Sequence, residues 1–330
     1  MRFLRNLFLL VLVVAVLAVG TGLWLLQPYG PGTETFVDIA PGTGTPGIAA
    51  QLQAAGIIRS RYAFEALRWM RGGSLKAGEY RFDHPAKLTE IYARIHKGDV
   101  YTRTLLVPEG FNIFEIAQAV QAAGLGSRET FLQAAQKHTE LIAKWSPNAP
   151  SLEGYLFPDT YRFSRHATPF NMLSTMVKRF GQEATVLGLH DADVARTVTM
   201  ASMVEKEVHL DTERSVVAGV FENRLAAGMP LQTDPTVAYA SLLNGTWNGV
   251  IHQSELHSDS AYNTYIHPGL PPGPICNPGI AALKAAMHPV KTDYLYFVAD
   301  ATGGTRFSTT LGEHVEKVKG YRKQEAGSRK

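Results

Sequence analysis

Residues Leu7 to Leu26 form a run of about 20 residues without a charge, the length a helix needs to cross a hydrocarbon core. Arg2 and Arg5 precede the run, and Glu34 and Asp38 are the first charges after it. Basic residues favour the cytoplasmic side, so the rest of the chain is expected to face outward. A cleaved signal peptide is the competing reading. The run exceeds a usual signal core, however, and Leu23-Trp24-Leu25-Leu26-Gln27-Pro28 offers no small-x-small cleavage site. Trp24 and Tyr29 suit an interfacial belt. Residues 1–29 are therefore read as a cytoplasmic N-terminus and an uncleaved anchor.

The chain beyond the anchor is long enough for two domains with cores of their own. The net charge is +3, with Lys and Arg dispersed, which gives no support to a nucleic-acid partner. The one cysteine, Cys276, cannot form an intrachain disulfide and lacks partners for a structural zinc site. Eleven histidines include no His-Glu-x-x-His pair, and no Gly-x-Ser-x-Gly elbow or Walker loop occurs. No metal and no cofactor is expected.

Periodicity predicts an α+β chain. Strand Phe36-Val37-Asp38-Ile39 leads to a helix over 46–56 ended by Gly56, then a helix over 62–70, a strand over 76–82 and a helix over 89–97. Strand Thr104-Leu105-Leu106-Val107, the turn Pro108-Glu109-Gly110 and a helix over 113–123 repeat the opening pattern. Gln53-Ala54-Ala55-Gly56-Ile57 returns about 68 residues later as Gln121-Ala122-Ala123-Gly124-Leu125. Two copies of one strand–helix module, or a helix-ending signature shared by chance, both account for this echo. The breaker-rich Trp145-Ser146-Pro147-Asn148-Ala149-Pro150 marks a domain boundary. Helices are expected over 169–187, 191–207 and 211–227, the last capped by Asp211 or Thr212. Strands over 294–299 and 305–308 read as a hairpin closed by Asp300-Ala301-Thr302-Gly303-Gly304.

Within the 191–207 helix, a winding of about 100° per residue gathers Val194, Val198, Ala201, Val204 and Val208 on one side. Glu205 falls roughly 50° from the middle of that stripe, and Glu207 about 110° from it, at its edge. A carboxylate isolated against apolar neighbours holds its proton to higher pH, which general-acid cleavage of a glycosidic bond requires. The plainer reading pairs Glu205 with Arg196 or Lys206 at the surface. Three loops dense in Tyr, Asn, Gln and Asp accompany this helix. They are Leu152-Glu153-Gly154-Tyr155-Leu156-Phe157-Pro158-Asp159-Thr160-Tyr161, Leu231-Gln232-Thr233-Asp234-Pro235-Thr236, and Ala261-Tyr262-Asn263-Thr264-Tyr265 before Gly269-Leu270-Pro271-Pro272-Gly273-Pro274. Such loops hydrogen-bond sugar hydroxyls and stack on pyranose faces, or they serve only local turn chemistry.

Ala201-Ser202-Met203-Val204-Glu205-Lys206-Glu207, Val220-Phe221-Glu222-Asn223-Arg224-Leu225 and the Leu231–Thr236 loop resemble the endolytic murein transglycosylases, the YceG-like proteins. So do Tyr262–Tyr265, Gly269–Ile275 and His288-Pro289-Val290-Lys291-Thr292-Asp293-Tyr294-Leu295-Tyr296-Phe297-Val298. The resemblance runs over nearly the whole chain, anchor included, with small departures such as Met203 and Cys276. It implies a lyase that cuts peptidoglycan glycan within the strand, at the N-acetylmuramic acid–N-acetylglucosamine bond, and leaves a 1,6-anhydro end. It implies Glu205 as the essential acid, the same residue the helical angle selects. It further implies a LysM-like subdomain at roughly 36–105, set in an α/β region over 36–145, and a catalytic domain over 146–330.

On that resemblance Gln232, Asp234, Asn263 and Tyr265, with Glu153 and Tyr155, are the expected sugar-holding residues. The partners are peptidoglycan glycan strands, the membrane through residues 7–26, and peptidoglycan synthases beside which growing strands are ended. The place implied is the bacterial cell (inner) membrane, single-pass, with the N-terminus cytoplasmic and the catalytic domain on the outer (periplasmic) side. Two other functions fit parts of the pattern. A lysozyme-like hydrolase requires a second carboxylate, with Asp234 or Glu153 the choices. An anchored peptidoglycan-binding scaffold requires only the LysM-like part.

Overall fold

Helix α1, Arg2–Leu26, is the one element among the described residues long and apolar enough to cross a membrane, and none of its apolar window is buried. The structure, a computed structural model, describes residues 2–190, 193–208, 210–300 and 304–328. It is a mixed α+β chain that divides into two compact units, Met1–Arg103 and Thr104–Lys330.

After α1 the first unit runs β1 (Thr35–Ile39), α2 (Thr45–Ala54), α3 (Arg61–Arg71), β2 (Gly78–Phe82) and α4 (Leu88–Lys97). The two strands pair antiparallel, Val37 opposite Tyr80 and Thr35 opposite Phe82. Their period-two alternation turns Val37, Ile39, Tyr80 and Phe82 onto Ile48, Leu52, Phe64, Ile91 and Ile95 of the helices, all buried. The end of α1 is tied to this unit by Arg59, whose guanidinium lies 4.4 Å from the Trp24 ring centroid and 4.9 Å from that of Tyr29.

The second unit opens with β3 (Arg103–Val107), α5 (Ile113–Ala122), α6 (Arg128–Lys137) and β4 (Asp159–Phe163), with β3 paired to β4. This repeats the strand–helix–helix–strand order of the first unit. The repeat reaches individual hydrogen bonds. Gly56 and Gly124 end their helices at φ 69 and 67, Ile57 and Leu125 donate back to Leu52 and Val120, and the Gln53 and Gln121 side chains accept from the first amide of the next helix, Arg61 or Arg128. Ser60 and Ser127 then cap those helices through Ala63 and Thr130. The sequence echo is thus a structural module used twice.

The boundary expected at Trp145–Pro150 falls inside the second unit. Trp145 packs in its core, edge-on to Phe180 at 5.0 Å between ring centroids. Breakers there mark a tight connection, because Trp145 among them is buried and binds the segment to its neighbours.

Helices α7 (Pro169–Leu187), α8 (Val194–Glu207), α9 (Asp211–Ala226), α10 (Asp234–Leu243), α11 (Gln253–Leu256) and α12 (Ile280–Met287) come next, then β5 (Tyr296–Ala299), β6 (Thr305–Ser308) and α13 (Leu311–Ser328). Strands β5 and β6 form the expected antiparallel hairpin, Tyr296 opposite Ser308. Residues 301–303 of its turn, and Asp191 and Ala192 at the expected start of α8, lie outside the described residues. Helix α9 starts from Leu210 without a side-chain cap, and Asp211 instead accepts from Arg214 Nε.

Helix α8 is the centre of this unit. Val194, Val198, Ala201 and Val204 are fully buried, and the helix packs on α9, α10 and α12. The close approach of α9 to the segment after α12 requires glycine at 219, where a Cβ would overlap the Val290 carbonyl oxygen.

Candidate active site

Glu205 leaves α8 in its last turn and is met from three directions. From α9, Arg214 Nη1 donates to Oε1 at 2.9 Å. From the segment before α12, the Gly279 amide donates to Oε2 at 2.9 Å. From the β3–α5 turn, Gly110 backs the side chain, with a Cβ there standing 3.6 Å from Glu205 Cγ. The Glu205 side chain is only 6 % exposed. Neither sequence reading of Glu205 describes this arrangement. The side chain is buried but not isolated, and its cation is Arg214, whereas Arg196 forms a two-pronged pair with Glu222. Winding a single helix finds the buried face, but the partners arrive from other elements.

The frame around Glu205 is held by Asn277, which is fully buried. Its backbone N–H and O bond Phe111 and Gly110, its Nδ2 donates to the Phe111 carbonyl and to Glu153 Oε1, and its Oδ1 accepts from the Leu156 amide. Glu153 Oε2 accepts in turn from the Ile113 amide and the Tyr239 hydroxyl. Ser202 Oγ accepts from the Ile275 amide at 3.1 Å, and the Cys276 thiol donates to the Ser202 carbonyl. This network fastens the segments carrying Gly110 and Gly279 to α8 and to each other.

Glu153 and Tyr155, expected to hold sugar, are both buried. Glu153 is 3 % exposed with its acceptors turned inward, and burial pushes its carboxyl up to about 8 against the pull of its donors. Tyr155 is 1 % exposed, stacked with Trp145 and edge-on to Phe180. Asn263 is also buried. Its Nδ2 donates to the carbonyls of Glu255, Leu256 and Ser258 and its Oδ1 accepts from the Tyr265 amide, so it ties a loop together. Polar residues in Gly- and Pro-rich loops serve the backbone here because buried carbonyls and amides need partners.

The remaining three expected residues come together. Thr264 accepts from the Gln232 and Thr233 amides and its hydroxyl meets that of Thr236 at 2.9 Å, which joins the two loops. Tyr265 consequently donates its hydroxyl to Asp234 Oδ1 at 2.6 Å. Burial, and then Asp234, push that hydroxyl well above its usual range. Gln232 is exposed and holds φ 54, a left-handed conformation that costs a non-glycine residue roughly 1 kcal/mol. Asp234 and Lys206 line a cleft of about 320 Å³ together with Asn112, Tyr239, Trp247 and Ile251. Lys206 Nζ also donates to the Gly110 carbonyl at 3.2 Å, so the cleft borders the Glu205 site. An indole and charged groups thus line a cleft of the size that admits a small ligand.

Residues 37–320 match the model of the YceG-like family. The chain belongs to that family. An endolytic murein transglycosylase of Bacillus subtilis is 34 % identical over 320 residues, covering 90 % of this chain and 88 % of that protein. One of Streptococcus pneumoniae is 31 % identical over 313 residues, covering 84 % of this chain and 57 % of its own length. A crystal structure of a yceG-like protein from Listeria monocytogenes superposes with a TM-score of 0.57 at 32 % identity, over 87 % of this chain and 99 % of that one.

Two motifs shared in the resemblance to YceG-like proteins have structural uses that sequence spacing does not disclose. Asn223 donates to the Thr292 and Tyr294 carbonyls, and the buried Arg224 to those of Pro230, Leu231 and Leu295, so this pair clips α9 to the segment leading into β5 and to the Gln232 loop. Two carboxyl groups of the YceG-like site also escape selection by helical spacing. Glu207 is half-buried, and burial, then Asp234, hold its carboxyl up at about 7 against the pull of Arg224. Glu109 stands on the turn that backs Glu205. The signal for it is present in Pro108-Glu109-Gly110, a charged residue in a turn whose glycine has φ 79. Among the described residues no group of three or more His, Cys, Asp or Glu side chains is arranged to hold a metal ion.

Proposed function

We propose that this chain is a membrane-anchored endolytic peptidoglycan transglycosylase. It cleaves the bond between N-acetylmuramic acid and N-acetylglucosamine without water, leaves a 1,6-anhydro end, and thereby terminates nascent glycan strands. Membership of the YceG-like family supports the reading, since relatives of this chain over most of its length carry the name endolytic murein transglycosylase. The observation that carries the mechanism is the pair of donors, Arg214 Nη1 and the Gly279 amide, aimed at the two oxygens of Glu205.

Glu205, protonated, gives its proton to the leaving glycosidic oxygen while positive charge develops at the muramic acid C1. It becomes a carboxylate as it does so. Arg214 and Gly279 are already oriented to the charge that forms, which lowers the barrier without reorganisation. The C6 hydroxyl of the same ring then attacks C1 and returns its proton to Glu205, so the acid is regenerated and no water is consumed. Asp234, Tyr265 and Gln232, with Trp247 in the adjoining cleft, hold the flanking sugars in this reading.

The first unit is read as the LysM-like part. Its standing as a compact unit with two paired strands packed on helices is consistent with a separate glycan-holding role. Helix α1 is read as spanning the membrane with Arg2 and Arg5 cytoplasmic and the second unit outside, beside the peptidoglycan synthases whose product it cuts.

A second assignment of the acid has a specific observation behind it. Glu207 has a raised carboxyl, at about 7, of the kind a general acid needs near neutral pH. Mass spectrometry of products from the full chain in detergent, acting on uncrosslinked glycan, tests both. Internal fragments with anhydro ends, lost in Glu205→Gln and retained in Glu207→Gln, are expected; the opposite pattern moves the acid to Glu207. Reducing ends instead indicate hydrolysis, and uncut glycan that stays bound indicates a scaffold.

A further inference from the structure

Arg214 creates a difficulty that the cleavage reading must meet. A guanidinium and an amide meet the two oxygens of Glu205, yet the first step needs a proton there. A second carboxyl group opposes them. Glu109 lies against the face of Gly279: a Cβ on that glycine would overlap the Glu109 carboxyl carbon and both its oxygens. The amide of the same glycine donates to Glu205 Oε2 at 2.9 Å. Glu109 is exposed, and no hydrogen bond or ion pair of its carboxyl occurs among the described residues.

We propose that Glu109 is a positioning residue that keeps a proton at Glu205, the two carboxyl groups flanking Gly279 and holding one proton between them until the glycosidic oxygen arrives. The inference rests on Glu205 being the acid. Two negative charges set against one glycine are costly, and a strongly interacting carboxyl pair titrates in two separate steps and retains one proton above the range of a lone carboxylate. The groups facing Glu109 fit. Partial desolvation of its carboxyl against Gly279 raises it, the Glu205 charge raises it further, Arg214 opposes and Asp211 adds to the rise. Lys206 is turned to the Gly110 carbonyl. The proton moves from the pair to the leaving oxygen and is replaced from the C6 hydroxyl, so the site gains and loses none over a cycle.

The pH–rate profile of the full chain in detergent, with anhydro ends as the readout, tests this against Glu109→Gln and Glu109→Asp. Removing the neighbouring charge leaves Arg214 unopposed, so the alkaline limb of Glu109→Gln moves to lower pH. Its rate on that side falls about tenfold or more while the acid side is retained. Glu109→Asp, which keeps the charge, restores the limb in part. A Glu109→Gln profile that overlays the wild type, or is lowered equally at every pH, overturns the proposal. If the wild type makes no anhydro ends, or keeps making them as Glu205→Gln, the cleavage reading itself has failed, whatever Glu109 does. Because Glu109 is exposed, its variants are expected to melt with the wild type, and melting curves verify that the profiles compare folded proteins.

Discussion

Arg214 reaches Glu205 across the α8–α9 connection in a pair whose side chains are 8 % and 6 % exposed. Against burial, which lowers it, Asp211 and Glu205 hold the Arg214 guanidinium above its ordinary value. A buried ion pair of this kind is expensive to break and need not stabilise the fold over apolar residues of similar volume. In the proposed mechanism its use lies in orienting Glu205 and in receiving the charge that proton donation leaves behind.

Arg214→Met is therefore expected to lose about 3–5 kcal/mol in urea unfolding at a pH where Glu205 has given up its proton, because the charge is then left buried with one amide donor. The double variant Arg214→Met with Glu205→Leu recovers most of that loss while remaining inactive. If the double variant is as unstable as the single one, the pair stabilises the fold for its own sake.

Stability should also depend on pH through Glu207. Its carboxyl is held at about 7 where 4.5 is ordinary, so between those values the folded chain binds a proton that the unfolded chain releases. Its contribution is full below the lower value and declines as pH rises through the window, by up to about 3 kcal/mol. Urea midpoints across this range measure the decline, and Glu207→Gln should flatten it.

Asn277→Ala removes the side-chain bonds that join Phe111, Glu153 and Leu156. A loss of about 3 kcal/mol is expected from the buried groups left unpartnered. Activity should fall further than stability explains, since the Gly110 and Gly279 segments lose their common fastening beside Glu205. Rates measured well below the melting temperature separate the two effects.

Tyr265→Phe deletes the hydroxyl that donates to Asp234 at 2.6 Å. Asp234 is exposed, so the fold should be nearly unaffected, while kcat/KM drops roughly ten- to a hundredfold if the pair holds sugar. An unchanged kcat/KM removes the pair from the substrate groove.

Much of the architecture was legible in local pattern. Helical spacing found α7 and α9 within a residue of their observed ends, and alternation found β2 and the β5–β6 hairpin. Gln53–Ile57 and Gln121–Leu125 announced a module used twice, because a glycine stop and a glutamine that reaches the next helix are both local devices. The expected boundary at 145–150 lies inside the second compact unit for a related reason. Breakers at 145–150 report a change of direction, not whether Trp145 is buried beside Phe180.

By itself the sequence determined the long apolar N-terminal helix, the order of helices and strands, and the face of α8 that turns inward. Each arises from periodicity or composition within a few turns of chain. Which polar groups meet was decided only by the tertiary structure. Arg214, Gly279 and Glu109 come to Glu205 from separate elements, whereas Glu153 and Asn263 turn inward to satisfy backbone groups that folding removes from water. A buried charge or amide takes whatever partner the packed elements bring within about 3 Å, and no spacing along the chain states that distance.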